Sequence, residues 1–154
     1  MIDDLNPCEV AIAIRFPSEA IRIYKNRVIA HSYTQAIFGP YGNGNGHNDC
    51  ADAFRHSFYN AINTRDTNSS VTLLFSSAHE CETPEDRIRE KEMDLFNNSV
   101  GIHIGKNNSN EDNNAIAALI ISELQGGRLR VLSNLNPLND PTASTQVILS
   151  TNCN

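Results

Sequence analysis

The chain reads NDCADAFRHSFYNA over residues 48–61, and this is the most informative stretch of the sequence. Its apolar residues repeat at spacings of three and four, which predicts an amphipathic helix. The neighbouring face carries a carboxylate, a guanidinium, an imidazole, a phenol and an amide. These groups belong to Asp52, Arg55, His56, Tyr59 and Asn60. Because a solvated face needs only charge, this variety of groups indicates chemistry.

The rest of the chain is also patterned mainly as helix. We predict helices over residues 17–38, 48–64 and 114–125, with glycine-rich connection at 39–47. A Thr-Pro start signal at 83–84 predicts another helix to about residue 98, followed by a loop over 101–114. Residues 69–78 fit either a helix capped by Ser69 or Ser70, or a strand. The predicted fold class is mainly α: a bundle of about four to five helices, with residues 128–135 and 146–149 as candidate strands of a short C-terminal β-hairpin.

Length and charge limit the class of protein. A chain of 154 residues with 40% hydrophobic content fits one domain, 1–154, with a motif-bearing core of about 17–126 and an extension over 127–154. The net charge of -6 and the lack of a Lys/Arg cluster argue against a nucleic-acid partner. No apolar run approaches the ~20 residues of a transmembrane helix. The acidic start lacks the features of a signal peptide. The chain therefore reads either as a soluble protein, a cytoplasmic one included, or as a module of a longer secreted protein.

Four cysteines allow three pairings if all are oxidised; they are Cys8, Cys50, Cys81 and Cys153. A Cys8–Cys153 bond would join the two ends of the chain, and a Cys50–Cys81 bond would tie the first motif to the second. Four free, mostly buried thiols are the other interpretation.

Two later motifs supply polar groups that complement the first. Residues 78–80 read AHE, and residues 93–101 read MDLFNNSVG. In the second of these Asp94, Asn97, Asn98 and Gly101 repeat at helical spacing on one face, while Met93 belongs to another. We therefore expect three segments to bring apolar stripes to a core and polar groups to one rim.

His56 is the leading candidate for acid/base chemistry, because histidine titrates near neutrality. Asp52 lies one helical turn before it, where a carboxylate can orient an imidazole or form an ordinary helix pair. Glu80 or Asp94 would supply a further catalytic carboxylate, and each has a structural alternative as a partner of Arg55. A further set would bind substrate. The candidates are Arg55, His79, Asn60, Asn97, Asn98 and Gly101.

Nitrogen and oxygen ligands for zinc or calcium are also present. The candidate ligands are Asp52, His56, His79, Glu80 and Asp94. No H-E-x-x-H motif accompanies them. The glycine-rich loop 42–46 before the helix can cradle an anion or calcium, and it loosely resembles the calcium loop of secreted phospholipases A2. The adjacent His-Asp pair and the flanking cysteines of that family are missing here.

Taken together, DAFRH at 52–56, AHE at 78–80 and MDLFNNxxG at 93–101 resemble an uncharacterised bacterial domain that occurs at the C-terminus of large secreted or toxin-like proteins. The resemblance covers about residues 6–135. It implies a mostly helical module that is delivered outside the producing cell as an effector, with a cognate immunity protein as a partner. It supplies no mechanism, so the roles of the motif residues rest on their chemistry.

The leading hypothesis is a secreted hydrolase that acts on a cell-envelope polymer or lipid through a His/carboxylate centre. The alternative from another class is a non-enzymatic binding or interaction module. In that module Asp52, Arg55, Glu80 and Asp94 would form a buried network that fixes helix packing. A calcium-dependent, phospholipase-like lipid hydrolase is the third hypothesis.

Overall fold

The computed structural model describes residues 5–41 and 46–153, and its architecture is mainly helical. Six α-helices occur in the described residues, and two short antiparallel strands follow them with Val131 opposite Ile148. The predicted fold class is therefore confirmed. The elements are α1 (Pro7–Arg15), α2 (Pro17–Phe38), α3 (Cys50–Asp66), α4 (Ser69–His79), a 3-10 turn (Glu85–Arg87), α5 (Ile88–Asn107), α6 (Asn113–Gln125), β1 (Arg130–Ser133) and β2 (Gln146–Leu149).

Helix α3 lies at the centre of the fold. Phe54, Phe58 and Ile62 on its apolar face have no exposed surface, and they belong to one core cluster with Ile116 and Ile120 of α6. Complete burial of each such side chain contributes about 1.5–3 kcal/mol relative to exposure. The polar residues of the same helix are consequently held on a rigid element.

Asp49 caps the start of α3. Its carboxylate accepts a hydrogen bond of 3.0 Å from the backbone N–H of Asp52. A second carboxylate oxygen of Asp49 accepts the backbone N–H of Gly46 at 2.8 Å. The cap therefore fixes both the first turn of the helix and the described end of the glycine-rich loop.

Glycines set the distance between α3 and α5. A Cβ atom at Gly101 would overlap the backbone oxygen of Ser57, and one at Gly105 would overlap that of Ala61. The two helices therefore meet backbone to backbone. The predicted loop over residues 101–114 is wrong at this point, because α5 continues to Asn107. These glycines mark close helix packing, and they do not end the helix.

The start of α5 also differs from the prediction. The Thr83-Pro84 signal leads into a 3-10 turn, Glu85–Arg87, and the α-helix itself begins at Ile88. Pro84 has an extended backbone (φ -60°, ψ 155°) and stands before the turn. The signal therefore predicts a helical start correctly, but the α-helix begins four residues after Pro84.

Helix α1 was not predicted, although its sequence carries a start signal. Asn6 and Glu9 form a reciprocal capping box, in which each side chain accepts the other residue's backbone N–H at 2.9 Å. Pro7 occupies the first helical position. Asn6 also donates to the backbone oxygen of Ala78 at 2.9 Å, which ties α1 to the end of α4.

Residues 69–79 form a helix, so the strand alternative is excluded. The cap is Asn68, whose side chain accepts the backbone N–H of Val71 at 2.9 Å, and not Ser69 or Ser70. An asparagine cap competes well with serine because both present a short side-chain oxygen to the first turn.

Helix α2 has the predicted bounds and is the longest of the helices, at 22 residues. Its buried residues Ile23, Asn26, Ala30 and Thr34 repeat at spacings of three and four and define the side that faces inward. Neither α2 nor another helix within residues 5–41 and 46–153 has the length and apolar composition needed to cross a bilayer.

All four cysteines are oxidised, and their pairing differs from the bonds considered above. Cys8 bonds to Cys81 and Cys50 bonds to Cys153, so both the Cys8–Cys153 and the Cys50–Cys81 pairings are wrong. The reason is the unpredicted α1, which places Cys8 beside the end of α4. The start of α3 lies beside the chain after β2, which brings Cys50 to Cys153.

Candidate functional site

Four predicted site residues meet where α3 crosses α5. His56 Nε2 lies 3.4 Å from Asp52 Oδ1 and 3.5 Å from Asp94 Oδ1. The other ring nitrogen, Nδ1, lies 3.2 Å from Asn98 Oδ1. The prediction that the first and third motifs converge is therefore correct at the level of side-chain contact. We refer to Asp52, His56 and Asp94 as the carboxylate–histidine centre.

Hydrogen bonds around Asn98 assign the protonation of His56. Asn60 donates from Nδ2 to the backbone oxygen of His56 at 2.9 Å and to Asn98 Oδ1 at 2.7 Å. Asn98 therefore presents its carbonyl oxygen to His56, and because this oxygen only accepts, Nδ1 carries the hydrogen. Burial lowers the pKa of His56, more than the nearby Asp52 raises it. In its neutral form the ring therefore has its lone pair on Nε2, between the carboxyl groups of Asp52 and Asp94.

Asp52 is buried, and both of its carboxylate oxygens accept hydrogen bonds. Arg55 donates from Nη2 to Asp52 Oδ1, and the backbone N–H of Asn48 donates to Oδ2 at 2.6 Å. Arg55 also donates from Nη1 to the backbone oxygen of Gly46 at 2.7 Å. Burial alone would lower the pKa of Arg55, and the adjacent Asp52 carboxylate reverses this and raises it. Arg55 therefore fixes the carboxylate of Asp52 and also holds the loop.

Asp94 has the opposite environment. Its Oδ1 is inaccessible to solvent and accepts no hydrogen bond within the described residues. Burial, together with the nearby carboxylates of Asp52 and Glu80, raises the pKa of Asp94 well above its ordinary range. A buried carboxylate oxygen without a donor is costly, so the site is electrostatically incomplete without a proton or a cation.

A groove lies beside the centre, and His56, Asn60 and Asn98 line part of it. The groove has a volume of about 510 Å³ and is walled by α1, α2, α3 and α4, together with Asn98 of α5. Most of its lining is apolar, and it includes Val10, Ile14, Ile21, Ile23, Tyr24 and Phe75. A site of this kind buries an apolar ligand and presents a few polar groups at one place.

The AHE motif does not contact His56. His79 is exposed on the groove wall, and its Nδ1 lies 3.0 Å from Glu9 Oε1, which raises the pKa of His79. Glu80 is buried and accepts the Thr83 hydroxyl at 3.0 Å. The motif therefore supplies charge near the centre and holds the end of α4. The side-chain contacts of His56 described above come from α3 and α5.

Asn97 and Gly101, which were predicted to bind substrate, do not line the groove and make packing contacts instead. Asn97 has no exposed surface, donates to the backbone oxygen of Arg130 and accepts its backbone N–H, both at 2.9 Å. Gly101 lies against Ser57, as described above. Asn97 therefore attaches β1 to α5, and Gly101 brings α5 close to α3.

A second group of polar residues behind the centre was missed. Glu90 accepts from Asn48 Nδ2 at 2.7 Å and lies 3.1 Å from His47 Nε2. Asn48 Nδ2 also donates to the backbone oxygen of Asn139, at 2.8 Å. Glu90 lies one helical turn before Asp94, so helical spacing could have identified it. Nothing in the sequence pattern indicates that residue 139 approaches.

Three of the five predicted metal ligands come together. One ligand atom each from Asp52, His56 and Asp94 lies within 4.8 Å of the others. His79 and Glu80 are engaged with Glu9 and Thr83 instead. The glycine-rich loop proposed as an anion or calcium cradle falls largely at residues 42–45, outside the described residues.

Comparisons with known proteins identify the family. The chain has no match among curated proteins or among solved structures. A family model described as a domain of unknown function (DUF6973) matches residues 10–128, a span that contains all three motifs. The chain therefore belongs to the DUF6973 family.

Proposed function

We propose that this domain is a hydrolase that cleaves an ester of an anionic amphiphile, such as a cell-envelope lipid, at the carboxylate–histidine centre. One observation carries the proposal: His56, flanked by the buried carboxylate of Asp52 and the half-buried one of Asp94, lies on the wall of a mostly apolar groove. An acyl chain fits such a groove better than a polar polymer does, because the polymer would lose hydration without gaining polar partners.

The polar part of the groove favours a negative head group. Among the described lining residues, Arg27, Arg55 and His79 carry or readily take a positive charge, and Glu9 is the carboxylate. Cationic side chains at the edge of an apolar site attract and orient an anionic substrate. The expected substrate therefore has an apolar chain in the groove and a negative group near these residues.

The centre has the groups that ester hydrolysis requires. A water oxygen attacks the carbonyl carbon, and a carboxylate of the centre takes up the proton that the water loses. The bond from that carbon to the alcohol oxygen then breaks, and the proton passes to the leaving oxygen. Asn60 and Asn98 position the imidazole during this sequence through the hydrogen bonds described above.

The two disulfides support action outside the cytoplasm. Bonds such as Cys8–Cys81 and Cys50–Cys153 persist in oxidising compartments and are rare where thiols are kept reduced. We propose that the domain is exported, as part of a longer effector-like protein, and that a producing cell would need an immunity protein against it.

The test is release of fatty acid from phosphatidylglycerol vesicles by the purified domain. His56→Gln should lower the rate by at least about 100-fold, and His103→Gln, an exposed histidine on α5 that bonds to Asn107, should not change it. Ile14 lines the groove and is 77% exposed, so Ile14→Glu should slow vesicle hydrolysis. Leu138→Glu, at an exposed position outside the groove lining, is the matched control.

The rival proposal is a non-enzymatic module in which the same residues fix helix packing. The Arg55–Asp52 pair and the bond from Asn48 to Asp52 favour it, because both are closed contacts within the protein. If His56→Gln leaves vesicle hydrolysis unchanged, or if no hydrolysis occurs in the wild-type protein, the hydrolase proposal is rejected in favour of this one.

A further inference from the structure

We propose that Asp52, His56 and Asp94 form a binding site for a divalent transition metal of the zinc class. The inference rests on the geometry of these three side chains and stands whether or not the domain hydrolyses lipid. Its only link to the proposed function is the water that such a metal would hold.

The spacing of the ligand atoms fits a tetrahedral ion. Zinc bonds of about 2.0–2.2 Å place neighbouring ligand atoms roughly 3.3–3.5 Å apart. His56 Nε2 lies 3.4 Å from Asp52 Oδ1 and 3.5 Å from Asp94 Oδ1, so two of the three edges already have this length. The third edge is no longer than 4.8 Å, and a small side-chain rotation would close it.

His56 is held in the form that binds a metal. The hydrogen on Nδ1 points to Asn98, and Asn98 is in turn fixed by Asn60. Metal-binding histidines usually have this arrangement: one ring nitrogen donates its hydrogen to an oxygen acceptor, and the other keeps a free lone pair for the metal. Without a bound cation, this lone pair faces one oxygen of each carboxyl group, at 3.4 Å and 3.5 Å.

Asp94 provides a second, independent indication of a ligand. Its Oδ1 is buried, accepts no hydrogen bond within the described residues and lies next to the Nε2 lone pair. Arg55 compensates Asp52, but the described contacts of Asp94 Oδ1 include no such cation. A divalent ion would satisfy this oxygen and the His56 lone pair together.

The ligand set selects the class of metal. An imidazole nitrogen with two carboxylates suits zinc and its neighbours, whereas calcium and magnesium prefer oxygen ligands alone. Three protein ligands leave a fourth position open, as in catalytic zinc sites and unlike closed structural ones. That position would hold the water that the proposed hydrolysis requires.

The nearest rival locus for a metal is His47 with Glu90 and Asp140. His47 Nε2 lies 3.1 Å from Glu90 Oε1 and 3.7 Å from Asp140 Oδ1. Glu90 already accepts a hydrogen bond from Asn48, and the side chains of His47 and Asp140 are 38% and 40% exposed. This cluster therefore lacks a buried, unpaired ligand atom such as Asp94 Oδ1. The variant His47→Gln distinguishes the two sites, because it removes a ligand from this cluster alone.

The experiment titrates Zn²⁺ into the chelator-treated protein by calorimetry and counts bound zinc by elemental mass spectrometry. The wild-type protein should bind one zinc per chain. Asp94→Asn and His56→Gln should weaken binding by at least 100-fold, while Asp86→Asn and His47→Gln should bind as the wild type does. Asn98→Leu should weaken binding about 10–100-fold, and Asn98→Asp, which keeps an acceptor for Nδ1–H, should restore it.

Several results would overturn the site. These are no stoichiometric zinc in the wild type, equal affinity in Asp94→Asn, loss of zinc only in His47→Gln, or a preference for Ca²⁺ over Zn²⁺. Circular dichroism of each variant shows that it is folded before its affinity is compared. Zinc binding without vesicle hydrolysis would refute the proposed function alone, and chelator-resistant hydrolysis without zinc binding would refute the metal site alone.

Discussion

Asp94 Oδ1 lies 3.5 Å from His56 Nε2, is inaccessible to solvent and accepts no hydrogen bond within the described residues. A structural network would place a donor at this oxygen, as it does at both oxygens of Asp52. We propose that this contrast between the two aspartates on facing helices reflects a binding role for Asp94 in addition to helix packing.

Asp94→Asn should stabilise the metal-free protein while it abolishes activity. The change removes the charge of a carboxylate whose Oδ1 is buried without a donor, a defect that costs about 1–3 kcal/mol. We expect the free energy of unfolding in urea to rise by about 1 kcal/mol. Asp86→Asn at an exposed position is the control and should change it little. A clear loss of stability in Asp94→Asn would assign Asp94 to a structural network instead.

Gly101→Ala should destabilise the domain, because its Cβ would overlap the backbone oxygen of Ser57 and push α5 away from α3. Overpacking of this kind costs about 1–3 kcal/mol, and backbone atoms yield less than side chains do. The free energy of unfolding measures the effect, and Ser99→Ala on the exposed side of α5 is the control. Equal stability of the two variants would contradict the backbone contact between the helices.

Loss of the Cys8–Cys81 bond should release α1 without unfolding the core. None of the residues of α1 is fully buried. Its described ties to α4 are the disulfide, the hydrogen bonds of Asn6 and Glu9, and the packing of the partly buried Ile12 and Ala13 against the cluster that contains Val71 and Phe75. In Cys8→Ser/Cys81→Ser, amide hydrogen exchange should speed up in α1 and stay slow in α3. Simultaneous loss of protection in both helices would show that α1 belongs to the cooperative core.

The pair of His79 and Glu9 should make stability fall as the pH rises past neutrality. The hydrogen bond to Glu9 raises the pKa of His79, so the protonated form is favoured in the folded state. This contribution is complete below about pH 6.5 and is lost as the pH rises through the raised pKa.

Unfolding of the wild type and His79→Gln at pH 6 and pH 8.5 measures this contribution. The difference between the two proteins should be larger at pH 6, and under about 1 kcal/mol because the side chain of His79 is 61% exposed. A larger difference at pH 8.5 would contradict the assigned direction.

Sequence periodicity predicted the parts of the site that lie on single helices. On each of these helices the site residues are four positions apart, which places them on one face, and a helical repeat in the sequence shows this directly. They are Asp52, His56 and Asn60 on α3, and Asp94 and Asn98 on α5. Periodicity could not show that His79 contacts Glu9, because that contact depends on α1. The start of α1 is marked by a capping box and not by a hydrophobic repeat.

The prediction that Gly101 begins a loop was wrong for a related reason. Gly101 in a polar sequence resembles a helix end, and only the position of Ser57 on the facing helix shows that it serves close packing. The disulfide pairing likewise depends on which helix ends are adjacent in space, and the spacing of the cysteines alone leaves three possibilities.

The most direct test of the central claim is vesicle hydrolysis in water enriched in ¹⁸O. If the carboxylate–histidine centre activates water, fatty acid released from phosphatidylglycerol by the wild-type protein should carry one ¹⁸O atom. His56→Gln and Asp94→Asn should release none above background, and His103→Gln should match the wild type. Equal release of labelled fatty acid by the wild type and the two centre variants would contradict the account.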